Sequence, residues 1–160
     1  MDAEVIVNMA KLWKNVPDKK QCILSGSKSS DIKSQRNSVA SLRRQITEND
    51  VYEIVFTSDN CDIASLEHVQ TIVNVNHPSR GQIEVMLVSP SGTRTQMLAP
   101  RANDVSDKGF HNWALTSVET WGEHGDGTWH LYIVNRGDQV NWSVGQCTLV
   151  LHGVHKSVSS

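Results

Sequence analysis

Beyond Val51 the chain alternates apolar and polar residues with a period of two. That alternation puts one side of an extended strand on a core and the other toward solvent. Val51–Phe56 reads as a strand, and Leu66–Asn76 places Val69, Val73 and Val75 on one face. In Gln82–Val88, Ile83, Val85 and Leu87 alternate with Glu84 and Met86. Thr93–Leu98, Trp113–Val118 and Thr128–Asn135 follow, the last with Trp129, Leu131 and Ile133 inward. Gly145–Leu151 closes the series with Cys147, Leu149 and Leu151 in phase. Turn-forming runs at Asn76–Gly81, Ser89–Gly92 and Glu123–Gly127 separate these segments. Seven or more short strands after one helix predict an all-β jelly-roll or Greek-key sandwich rather than a barrel. No internal repeat of fixed period suggests a propeller.

The first segment has a different rhythm. Val5, Ile6, Met9, Leu12 and Trp13 share one face of a helix predicted over Asp2–Trp13. Asp2 and Glu4 at its start and Lys11 and Lys14 at its end suit the helix dipole, and Pro17 stops it. A lone short amphipathic helix is marginal in water, so this one needs a surface to pack on. Gln21–Asp50 is polar and weakly patterned, and reads as a mobile linker or loop.

Composition narrows the function classes. A length of 160 residues fits one domain. Lys and Arg total 15 and Asp and Glu total 17, so the net charge is 15 − 17 = −2. That balance argues against a nucleic-acid binder, which carries a basic face. The apolar runs are too short to span a bilayer, and the acidic start of the chain does not read as a signal peptide. The cysteines Cys22, Cys61 and Cys147 allow one disulfide and one thiol, or three thiols, and form no C-x-x-C pair.

Candidate chemistry is sparse. His68, His77, His111, His124, His130, His152 and His155 form neither H-x-x-x-H nor H-E-x-x-H, and read as surface or structural histidines. No G-x-S-x-G motif is present, and Ser89-Pro-Ser-Gly-Thr93 reads as a β-turn. The aspartates at 59, 62, 104, 107 and 126 match no EF-hand spacing. Arg136-Gly137-Asp138 is an adhesion-type tripeptide in which Gly-Asp also makes an ordinary turn. Asn141-Trp142-Ser143 fits the N-glycosylation pattern. Trp113, Trp121 and Trp129 recur every eight residues, and core packing is favoured over a sugar-binding platform.

Several ordered words then stand out: Leu66-Glu-His-Val69, His77-Pro-Ser-Arg-Gly81, Leu87-Val-Ser-Pro-Ser-Gly-Thr93, Gly109-Phe-His-Asn-Trp113, Thr120-Trp-Gly-Glu123, Gly127-Thr-Trp129 and Thr148-Leu-Val-Leu-His-Gly153. Together they resemble the P domain of furin- and kexin-type proprotein convertases. Asp2-Ala-Glu4, Ala10-Lys-Leu-Trp13 and Val16-Pro17 resemble the last helix of the convertase catalytic domain and its exit.

The resemblance implies a division into a terminal helix and exit (1–17), a polar linker (18–50), a jelly-roll β-sandwich (51–155) and a tail (156–160). It implies a non-catalytic module that folds, stabilises and regulates an adjacent subtilisin-like serine endopeptidase. That partner would be calcium-dependent, act in the secretory pathway and cleave precursors after paired basic residues. Val5, Ile6, Met9 and Leu12 would meet the catalytic domain, and Cys22 and Cys61 would form a disulfide, leaving Cys147 a buried thiol. No catalytic or metal-binding residue is expected in this chain. Ser79-Arg-Gly-Gln82 departs from the Arg-Arg-Gly-Asp common in relatives. The competing reading is a stand-alone lectin-like jelly-roll binding module.

Overall fold

The computed structural model describes residues 3–13, 18–28, 51–138 and 141–155. Among the described residues, one helix, α1 (Ala3–Lys11), precedes ten strands. These are β1 (Lys19–Ser25), β2 (Ser27–Lys28), β3 (Val51–Ser58), β4 (Ser65–Asn76) and β5 (Ile83–Val88). They continue as β6 (Arg94–Leu98), β7 (Phe110–Ser117), β8 (Gly127–Asn135), β9 (Ser143–Val144) and β10 (Thr148–Val154). A 3-10 turn, Arg80–Gln82, sits before β5.

Two antiparallel sheets face each other. The first runs β1-β10-β4-β7, with β9 also paired to β4, and the second runs β2-β3-β8-β5-β6. With the two-residue strands β2 and β9 set aside, the eight long strands in chain order fall as 1-8-3-6 and 2-7-4-5. That interleaving is the jelly-roll order.

The period-two pattern decides which face is inward. Ile54 and Phe56 on β3, Ile83, Val85 and Leu87 on β5, and Trp129, Leu131 and Ile133 on β8 form one side of the core. Val69, Val73 and Val75 on β4 and Leu149 and Leu151 on β10 form the other. Trp129 is fully buried, and its indole Nε1–H donates to the carbonyl of Gly125 at 3.2 Å.

The outer face of the second sheet carries a smaller cluster of Val51, Tyr132 and Val134, with Met86 and Val88 against it. Glu53 and Glu84 are buried on this same face. A buried carboxylate needs donors to offset its lost hydration. Glu53 Oε1 accepts from Tyr132 Oη at 3.1 Å and lies 2.8 Å from His130 Nδ1. Glu84 takes Arg136 Nε and Gln96 Nε2, both at 2.6 Å. Burial, then the Glu53 charge, pushes the Tyr132 hydroxyl above the ordinary phenol range.

The linker reading of 18–50 is wrong over Lys19–Lys28. Lys19–Ser25 pairs residue for residue with β10, from Lys19 opposite Val154 to Ser25 opposite Thr148. Cys22 and Leu24 alternate onto the core, while Gln21 and Ile23 remain exposed. An edge strand needs only a few apolar positions on one side, too few to stand out in polar sequence. Residues 29–50, the Pro17 stop and the tail 156–160 lie outside the described residues.

Candidate functional site

The described helix ends at Lys11 and buries none of its residues. Val5, Ile6 and Met9 lie on it and Leu12 and Trp13 just after it, all exposed to solvent. A helix alone gains nothing by presenting such an apolar stripe to water, which makes the stripe a candidate interaction surface.

At the start of the first sheet, Cys22 on β1 and Cys61 after β3 are joined by a disulfide with Cα atoms 5.8 Å apart. Asp126 Oδ1 accepts the Cys61 N–H at 2.9 Å, which anchors that side of the bridge. Cys147 is a buried free thiol, and desolvation pushes its pKa up.

The remaining sequence candidates separate. Asn141 is exposed immediately before β9, and Ser143 is also exposed. Arg136 holds Glu84, so the Arg136-Gly137-Asp138 tripeptide does not offer a free guanidinium. His77 is buried: its Nδ1 accepts the Ser79 N–H at 3.0 Å, so its Nε2 carries the proton toward Asn135 Oδ1 at 3.2 Å. His68 and His152 stack at 4.1 Å across β4 and β10. Desolvation and the charge of His68 hold the His152 pKa below its ordinary value. Among the described residues, no three of His, Cys, Asp or Glu are grouped to hold a metal ion.

The tryptophans divide. Trp129 is core, but Trp113 is 46% exposed and Trp121 is 67% exposed, against the core reading. Trp113 lies on β7, at the edge of the first sheet, where a neighbouring strand covers it on one side only among the described residues; a bulge follows beside it. Val73 pairs with Trp113 while Val75 pairs with Phe110, so β7 carries one residue more than β4 over that interval. Asn112 sits in the bulge with φ of 48°, in the left-handed region. Asn74 holds it there: its Oδ1 accepts the Asn112 N–H at 2.8 Å, and its Nδ2 donates to Asn112 Oδ1 at 3.2 Å. Trp121 lies in the turn after β7, exposed to solvent.

Beside Trp113 stands a polar assembly that spacing alone did not reveal. Arg80 Nε donates to both oxygens of Asp104, at 3.0 and 2.9 Å. Arg101 reaches the same carboxylate through Nε at 3.3 Å and Nη2 at 3.1 Å. Desolvation would raise the Asp104 pKa, but hydrogen bonds from Arg80 and Arg101 outweigh it and hold the group below its ordinary value. The Arg80 guanidinium lies 5.7 Å from the Phe110 ring and 5.6 Å from Trp113, within cation–π range. The backbone zips the assembly together: Gly81 N–H donates to Asp104, Arg101 N–H to Gly81 and Arg80 N–H to Ser106. Residues 21 and 24 apart in sequence meet here, so only the turn signal at Asn76–Gly81 hinted at it.

Together the fold and these surfaces define a jelly-roll domain whose distinctive chemistry lies outside its core. The chain belongs to the proprotein convertase P-domain family, whose model matches residues 66–151. It is 34% identical over 158 residues to Proprotein convertase subtilisin/kexin type 6 of Homo sapiens, a match covering 96% of this chain and 16% of the relative. Proprotein convertase subtilisin/kexin type 5 of Rattus norvegicus is 32% identical over 160 residues, with 96% and 8% covered. PC3-like endoprotease variant B of Hydra vulgaris is 34% identical over 140 residues, with 87% and 18% covered. The chain thus spans between 8% and 18% of the length of these relatives.

Among solved structures, the serine protease of Aeromonas sobria in complex with its chaperone aligns with a TM-score of 0.66. That match covers 94% of this chain and 29% of the other, at 17% identity. FlhE aligns at a TM-score of 0.52 and 10% identity, covering 88% of this chain and all 100% of the other. At these identities the likeness is one of fold. Nothing in these comparisons favours the lectin-like module.

Proposed function

We propose that this P domain folds, stabilises and regulates an adjacent subtilisin-like serine endopeptidase that cleaves precursors after paired basic residues in the secretory pathway. The chain itself acts as a non-catalytic module. Its catalytic-domain partner supplies the nucleophile and any calcium dependence. The observation that carries the reading is the exposed stripe of Val5, Ile6, Met9 and Leu12 at the head of a P domain. Burying each of these side chains against a partner is worth roughly 1.5–3 kcal/mol before ordering costs.

The test is to replace Val5, Ile6, Met9 and Leu12 with Ser in the full-length gene product and to measure secreted, autoprocessed protease and its melting temperature. Both fall if the stripe braces the protease, whereas equal yield and equal melting overturn the reading. A fluorogenic Arg-X-Lys-Arg substrate with calcium checks the second half, because the 160-residue chain alone gives no turnover.

A further inference from the structure

We propose that Arg80 and Trp113 form a recognition site for a carboxylate on an acidic segment of a partner polypeptide. The site is built, not incidental. Its guanidinium is held by Asp104 on the Nε side and lies beside two aromatic rings, Phe110 and Trp113. That fixes the plane of the group and removes most of the rotamer freedom that an arginine loses on binding. Among the described residues, neither Nη1 nor Nη2 of Arg80 meets a protein acceptor. Arg101 differs: its Nη1 donates to the Ala99 carbonyl at 2.9 Å, and its Nη2 donates to Arg80 O and to Asp104. Arg80 therefore offers the end-on pair of donors that matches a carboxylate, and Arg101 is already spent on the scaffold.

Charge points the same way. Two guanidinium groups face one carboxylate in this assembly, leaving one positive charge in excess. The neighbouring indole stands half exposed next to a bulge whose Asn112 takes a left-handed backbone, a conformation that costs free energy and persists because Asn74 holds Asn112. A half-exposed Trp next to a part-buried Arg is the composition of an interface hot spot. The acidic occupant is a polypeptide rather than a lipid surface. A membrane needs several clustered cations, whereas this site has one in excess and the chain is net negative.

The test uses the full 160-residue chain and a fluorescein-labelled peptide, Gly-Glu-Leu-Glu-Gly-Gly, with its Gln-for-Glu counterpart. Anisotropy measures affinity, and the Trp113 indole N–H signal, assigned with Trp113→Phe, locates the contact. The acidic peptide binds saturably and shifts that signal, while the Gln peptide binds about tenfold or more weakly. Arg80→Gln weakens the acidic peptide by a similar factor. Since Arg80 also braces Asp104, Trp113→Ala, which leaves the Arg80–Asp104 pair in place, supplies a second variant and weakens binding severalfold. No saturable binding up to millimolar peptide overturns the proposal. So does equal affinity for the Gln peptide, or full affinity in Trp113→Ala or in a folded Arg80→Gln. Sedimentation with phosphatidylserine vesicles that Arg80→Gln abolishes, without peptide binding, overturns the polypeptide assignment in favour of a membrane.

Discussion

The Cys22–Cys61 bridge links residues 39 apart in sequence, and its loss should loosen the first sheet from its edge. Replacing both by Ala removes the link without placing a hydroxyl beside buried Cys61. In the chain-entropy description, closing a loop of about 40 residues constrains the unfolded chain by about 4 kcal/mol at 25 °C. Each kcal/mol shifts melting by roughly 2–4 °C in a domain of this size, so the double variant should melt about 8–16 °C lower. The effect has a local signature. Among the described residues, β1 is an edge strand paired only with β10, and it contributes just Cys22 and Leu24 to the core. Amide exchange should therefore quicken first across Lys19–Ser25, while Leu66–Val75 and Leu149–Leu151 stay protected. Calorimetry of the oxidised wild type against the double variant, with exchange read by mass spectrometry, checks both. A melting change under about 2 °C, with β1 no less protected, refutes the entropic reasoning. Non-reduced peptide mapping that joins Cys147 to either partner refutes the pairing itself.

Gly81→Ala would put a Cβ 2.2 Å from the Arg101 carbonyl oxygen and 2.4 Å from that of Asp104, both backbone atoms. The loop must move, and denaturant unfolding should show a loss of about 2–4 kcal/mol. Asp104 has a lowered folded pKa, so the stability it contributes is present above the unfolded value of about 4 and is lost as pH falls through its folded value. Asp104→Asn should therefore be less stable than wild type near neutrality and show a shallower loss of stability under acid, measured by urea midpoints against pH. Cys147 is buried with a raised pKa, so a thiol reagent should label it only after denaturation, as mass spectrometry of native and unfolded samples would show. In a eukaryotic secretory host, exposed Asn141 should carry a glycan, seen as a mobility shift that an amidase removes and Asn141→Gln abolishes.

The alternation of apolar residues by itself determined the sandwich. A strand buried on one face must place every second side chain inward, so Val69, Val73 and Val75, and Trp129, Leu131 and Ile133, announced both sheets without any partner in view. The same logic exposed the helical stripe of Val5, Ile6, Met9 and Leu12, because its period is local. β1 was hidden, since an edge strand draws its stability from pairing with β10, 123 to 135 residues away in the register of its ends, and not from its own pattern. The exposure of Trp113 was hidden for a related reason. Hydrophobicity predicts burial only where neighbouring elements cover the position, and Trp113, in register opposite Val73, lies on the edge strand β7. The Arg80–Asp104–Arg101 assembly was likewise a product of tertiary structure. Surface charges carry no period, and only the docking of the 99–106 loop over Gly81 brings these three together.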